Sequence, residues 1–192
     1  MPNHCDNDLR ITGPSKELKR FKEFAKDDKE LLSADKFIPY PEKYKKQDEI
    51  AHRNNKLQED LADKLEKQGK SRTDAWQEAN KKYPRMKDGY NQGGYSWCCD
   101  NWGTKWGFYN VELVEENYQQ GKDDKYSELF YNFNTAWSPA IPVIKKMGKM
   151  FPLLEFDLRY FEQGAGYNGM LLIVKGKVEK DLSGEYFGDR GG

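Results

Sequence analysis

Apolar side chains recur along this chain at two spacings, and the places where the spacing switches mark its elements. Asp8-Leu9-Arg10-Ile11-Thr12 alternates polar with apolar, the pattern of a half-buried strand. Gly13-Pro14-Ser15 stops it and offers Ser15 as a helix N-cap. The spacing then turns helical: Leu18, Phe21, Phe24 and Ala25 fall on one side of a helix predicted over 15–27, with lysines on the other. Phe37-Ile38-Pro39-Tyr40-Pro41 reads as extended, because each proline pushes its predecessor out of the helical region.

From 42 to 93 the character changes to long polar helices, and this stretch is expected to be a charged helical insertion. Ile50, Leu57, Leu61 and Leu65 form a thin apolar stripe amid dense mixed charge. Gly69 ends the first helix, Ser71 with Asp74 resembles a capping box, and Ala75, Trp76, Ala79 and Tyr83 give a second short apolar face before Pro84.

Period two returns with Tyr109, Val111 and Leu113, then with Leu129, Tyr131 and Phe133, with a polar turn around Gly121 between them: a hairpin. Ser138-Pro139 predicts a helix start, followed by the buried stripe Ala140, Val143, Ile144, Met147 and Phe151. Leu154, Phe156, Leu158 and Tyr160 give the cleanest half-buried strand, Gln163 to Gly166 turn it, and a partner strand runs from Tyr167 to Lys177. Without the insertion the order is strand, helix, strand, strand, helix, strand, with one extra C-terminal strand. That order predicts an α+β fold with a ferredoxin-like split βαβ antiparallel sheet and two core helices. The expected domains are a discontinuous core, 1–41 and 94–178, the insertion 42–93, and a polar tail 179–192.

Four short stretches carry a resemblance: Pro2-Asn3-His4-Cys5-Asp6-Asn7, Trp102-Gly103-Thr104-Lys105-Trp106, Thr135-Ala136-Trp137-Ser138-Pro139 and Tyr160-Phe161-Glu162. As a set they resemble the YubB or Api-like family of phage and plasmid proteins. The resemblance implies a ferredoxin-like domain and a mobile-element setting, and no particular reaction.

Composition narrows the function classes. Hydrophobic residues are 36% of the 192 and aromatics 14%, so the core must be assembled largely from Phe, Tyr and Trp. Lys plus Arg equals Asp plus Glu at 32 each, which gives no long-range attraction toward nucleic acid or an anionic membrane. With no apolar run near the ~20 residues that span a bilayer and no leader-like start, the expected location is cytoplasmic. Three cysteines, two adjacent, make no disulfide framework. His4, Cys5, Cys98 and Cys99 lack the spacing of metal ligands, so neither a metal nor another cofactor is expected, and Cys5 shares parity with buried Leu9 and Ile11.

Three of the five tryptophans lie between 97 and 106. Such a cluster either seals a core or builds a recognition surface. The candidate surface is Trp97, Asn101, Trp102, Thr104, Lys105 and Trp106, joined by Trp137, Tyr160 and Glu162 where strand ends meet. Trp102, Thr104 and Trp106 share one side if the segment is extended. Glu162 continues the register of Tyr160 and either pairs with Lys105 as an anchor or acts as an acid or base. The reading that follows is a non-enzymatic module that binds a small ligand or a host protein. Its alternatives are a hydrolase or nucleotide-acting enzyme using Glu162 and Lys105, and a single-stranded nucleic-acid binder.

Overall fold

The computed structural model describes residues 3–185. The chain divides into two compact units, one built from the residues up to Pro39 and from Trp97 onward, the other spanning Tyr40–Ser96.

In the first unit six strands form one antiparallel sheet: β1 (His4–Gly13), β2 (Tyr109–Asn117), β3 (Ser127–Ala136), β4 (Glu155–Glu162), β5 (Tyr167–Val174) and β6 (Lys177–Glu185). Their order is β2-β3-β1-β4-β5-β6, so the first four strands reproduce the ferredoxin-like arrangement and β5 and β6 extend it beyond β4. Parity does the sorting. Along β1, Cys5, Asn7, Leu9 and Ile11 are buried while His4 and Arg10 are exposed, and β3 buries Leu129, Tyr131, Phe133 and Thr135 on the same face.

Helices α1 (Ser15–Ala25) and α6 (Ile141–Met150) supply the cover, burying Leu18, Phe21 and Ala25 from one and Val143, Ile144 and Met147 from the other. Between them sits an aromatic nucleus. Phe21 meets Phe151 edge to face at 5.1 Å and Phe156 at 5.7 Å, and Phe37, from the single turn α2 (Ala34–Phe37), stacks on Phe21 at 5.7 Å. Gly148 lets α6 approach the sheet closely, since a Cβ there would lie 2.5 Å from Ile173 Cγ2.

Several local expectations are corrected. Ser15 is the first helical residue rather than a cap, and its N–H donates to the Asp124 carboxylate at 3.1 Å. The second core helix begins at Ile141, with Pro142 in its first turn, and not at Ser138-Pro139. The partner strand ends at Val174, because Lys175 and Gly176 both take positive φ and reverse the chain. The chain then runs straight into β6, so residues 179–185 of the expected tail are strand and the sheet gains two strands, not one. Residues 186–192 lie outside the described part.

The second unit is a helical hairpin, α3 (Glu42–Lys67) and α4 (Arg72–Lys82), turned at Gly69 and capped by Ser71, whose Oγ accepts the Asp74 N–H at 3.2 Å. Its seam differs from the expected stripe. Ala51, Gln58, Ala62 and Leu65 of α3 and Ala75 and Ala79 of α4 are buried, whereas Ile50 and Leu57 are exposed. A rotation of about one residue puts the small side chains inside, and alanine against alanine lets the helices touch closely. The segment after Pro84 returns along α3. Asn54 donates to Pro84 O at 2.7 Å, Asn55 holds both backbone groups of Met86, and Asp48 accepts from Tyr90 N at 3.0 Å. No described helix is long and apolar enough to cross a membrane.

Candidate functional site

At one end of the sheet β1 begins, β3 and β4 finish and β5 begins. The register there places Thr135 beside Cys5 and Glu162 beside Tyr167, so a polar row crosses the helix-covered face just beyond the apolar core. Tyr160, one pair further in, lies across Gly169, where a Cβ would fall 2.3 Å from its hydroxyl.

Most polar groups in this row have structural work, although no hydrogen bond from a described residue reaches the buried Asn7 Oδ1. Asn7, fully buried, donates to Cys5 O and Thr135 Oγ1, both at 2.9 Å. Burial pushes the Cys5 thiol up to about 12, against hydrogen bonds with Thr135 and Tyr167 that pull it down, so it stays protonated and unreactive at neutral pH. Glu162 is 1% exposed. Its carboxylate accepts the Gly164 N–H at 3.0 Å and the Ala165 N–H, closing the turn that joins β4 to β5. A Cβ at Gly164 would sit 2.4 Å from the Asn3 amide nitrogen, so a larger residue there would have to displace the Asn3 side chain.

The tryptophan segment divides in two. Its first part is helix α5 (Gly94–Trp102), not an extended strand. Trp102 is 6% exposed, donates its indole N–H to Ile38 O at 2.8 Å, and meets half-buried Trp97 edge to face at 5.3 Å. Asn101 donates to Trp97 O at 2.9 Å, within the same helix. These three residues brace the interior, and Trp102 leaves the candidate surface. Thr104, 1% exposed, leaves it too. Its hydroxyl accepts the Ala136 N–H and donates to Ala136 O, both at 3.0 Å, so one side chain stands in for a strand partner at the end of β3. Ser138 Oγ donates to Gly103 O at 2.7 Å and clamps the same loop from the other side.

The second part is displayed. Trp106 is 36% and Trp137 40% exposed. Lys105 Nζ lies 4.9 Å from the centre of the Trp137 ring, a cation–π distance. Trp106 leans toward Tyr109 at 6.4 Å, and the Tyr109 hydroxyl meets His4 Nδ1 at 2.8 Å. Trp137 itself has φ +72, a left-handed conformation that a bulky side chain rarely adopts. Its backbone is pinned on both sides: its N–H donates to Asn3 O at 3.1 Å, and its carbonyl accepts the Tyr167 hydroxyl at 2.6 Å.

Of the nine expected site residues, Trp106 and Trp137 are exposed, and Lys105 lies over the Trp137 ring. Thr104, Tyr160 and Glu162 are buried, and Trp97, Asn101 and Trp102 belong to the end of α5. Sequence reasoning missed His4, Tyr109 and Tyr167. The parity of His4 opposite buried Cys5 was the available signal for one of them; the other two are placed by register and by a bulge in β2. Among the described residues no group of three or more His, Cys, Asp or Glu side chains is arranged to hold a metal ion.

Residues 108–189 match a family model described as the ferredoxin-like domain in Api92-like protein. The chain is also similar in fold to the crystal structure of a protein api92 from Yersinia pseudotuberculosis. The two are 12% identical with a TM-score of 0.51, and the likeness covers 98% of this chain and 99% of that one. No curated protein matches this chain.

Proposed function

We propose that the chain is a non-enzymatic binding module that engages a protein partner through Trp106, Trp137 and Lys105 at the end of the sheet. One observation carries this reading: Trp137 is held in a left-handed backbone conformation, between two hydrogen bonds, with its indole 40% exposed. A fold gains nothing in stability from straining a residue in order to leave its largest apolar side chain in water. Exposed tryptophans beside a cation are the anchors that protein interfaces favour. A host protein suits the mobile-element setting that the sequence resemblance implies, and a role in countering host defence would follow from it.

The enzymatic alternative has less to stand on. Both oxygens of buried Glu162 are engaged by backbone amides of the following turn, and Lys105 lies over an indole. Nucleic-acid binding through the open sheet face is disfavoured by charge. Arg10 pairs with Glu128 and Arg159 with Asp157, so the guanidiniums there are already matched by carboxylates.

The test is capture from host lysate with the full chain and three variants. A specific partner should be retained by the native chain and by Trp76→Phe, and lost at least about tenfold in Trp106→Ala and Trp137→Gly, as hot-spot truncations behave. Glycine at 137 relieves the left-handed strain, so Trp137→Gly should fold with stability within about 1 kcal/mol of native while losing the partner. Equal capture by all four chains would overturn the reading.

A further inference from the structure

Trp76 takes no part in the sheet-end surface, and the reason lies in the packing of its helix. Helix α4 meets α3 through Ala75 and Ala79, both fully buried. Helical spacing then sets Arg72, Thr73, Trp76 and Asn80 along one flank of that seam. Opposite them stand Gln58 of α3 and Arg85 of the returning segment, and these six side chains, with Gln77, line a groove of about 580 Å³, within the usual range of small-ligand sites.

The floor of the groove is polar where the seam is otherwise apolar. Gln58 is 3% exposed on a stripe that elsewhere carries Ala51, Ala62 and Leu65. It donates to Asn80 Oδ1 at 2.8 Å, and the same oxygen accepts the Arg85 N–H at 3.2 Å, so one hydrogen-bond network fixes the floor and places Arg85 at the rim. A buried amide pair contributes less to packing than two apolar side chains would.

Charge is segregated across α3. No carboxylate lines this groove. A neighbouring groove of about 660 Å³ collects Asp48, Glu59, Asp60, Asp63 and Asp88, with Arg85 bordering both. Among the described residues no ion pair includes Arg72 or Arg85. Two guanidiniums without carboxylate partners beside a half-buried indole form a receptor for a flat group bearing negative charge.

We propose that this groove binds a small planar anion, an aromatic ring carrying a phosphate or a carboxylate, stacked on Trp76 with its charged group held by Arg72 and Arg85. The site is independent of the sheet-end surface, and neither fails with the other.

The test follows the indole N–H resonance of Trp76 in the full chain, assigned by its loss in Trp76→Phe. Adenosine 5′-monophosphate and indole-3-acetate are the two anionic probes; adenosine and inorganic phosphate are the controls. At least one anionic probe should shift this resonance saturably, and whichever binds more tightly distinguishes phosphate from carboxylate. Adenosine and inorganic phosphate should each bind at least about tenfold more weakly, and Arg72→Gln and Arg85→Gln should each weaken the anion about tenfold, the scale of a charge-assisted hydrogen bond. Both arginines are exposed, so their replacement leaves the fold intact, which the remaining resonances verify. The proposal is overturned if neither anion moves the Trp76 signal at about 10 mM, a concentration that detects even millimolar affinity. It is equally overturned if adenosine binds as well as its phosphate, or if the arginine variants bind unchanged.

Discussion

The two units of this chain bury their surfaces in opposite ways. In the sheet unit the interior is filled by large side chains, with Phe21 in edge-to-face contact with both Phe151 and Phe156 and Leu, Ile and Met around them. In the helical unit the seam is Ala51, Ala62, Ala75 and Ala79 with a buried glutamine, and Ile50 and Leu57 point outward. Large rings exclude much apolar area per residue and interlock, whereas alanines bring two helices close but remove little area from water. The sheet unit is thus built for stability. The helical unit relies on caps and on side-chain-to-backbone hydrogen bonds from Asp48, Asn54 and Asn55, and it leaves open grooves along its surface.

Phe156→Ala should break this contrast most severely, costing about 3–5 kcal/mol and unfolding the sheet unit, measurable as a shift of the urea midpoint. Ala79→Leu overfills the alanine seam. Its expected cost of about 1–3 kcal/mol should be confined to the helices, read as lost hydrogen-exchange protection in 42–82 with the strands unchanged. Loss of protection throughout the chain would show instead that the two units unfold together. Removing the cap with Ser71→Ala should cost about 1 kcal/mol and fray the start of α4, visible in the same exchange measurement.

The smallest effect is electrostatic. The Lys22 ammonium, 2.6 Å from Glu116, and the Tyr118 hydroxyl hold that carboxyl below its usual range. A lowered folded-state value adds stability above the ordinary glutamate range, near ~4.3, which is lost as pH falls through the lowered value. Both side chains are about one-third exposed, so the contribution is roughly 0–1 kcal/mol. Lys22→Met should return the carboxyl toward its ordinary value in an NMR titration and flatten stability between pH 5 and about 2. An unchanged titration would show that the Tyr118 hydroxyl alone sets it.

Local pattern exposed much of the sheet. The alternation in β1, β3 and β4 assigned each side chain to its face, because a period of two leaves no ambiguity once one face is buried. The cap at Ser71 and the break at Gly69 were equally plain. The reversal at Lys175-Gly176 was not, since lysine seldom signals a left-handed turn, and without it β6 read as a tail. The stripe on α3 misled for a different reason. Ile50 and Leu57 are the apolar residues, yet the partner helix presents alanines and the returning segment presents backbone, so complementarity in size outweighed hydrophobicity. In the candidate surface, composition marked the tryptophans but could not divide them.

What the sequence determined alone was the order of elements, and with it a ferredoxin-like sheet covered by two helices, because periodicity and punctuation are properties of neighbouring residues. Only the tertiary structure decided which indoles are spent inside and which face outward. Trp102 is buried because Ile38, 64 residues away in sequence, offers its carbonyl. Trp137 is displayed because Asn3, just before β1, and Tyr167 of β5 grip its backbone in a conformation that it would not choose unaided.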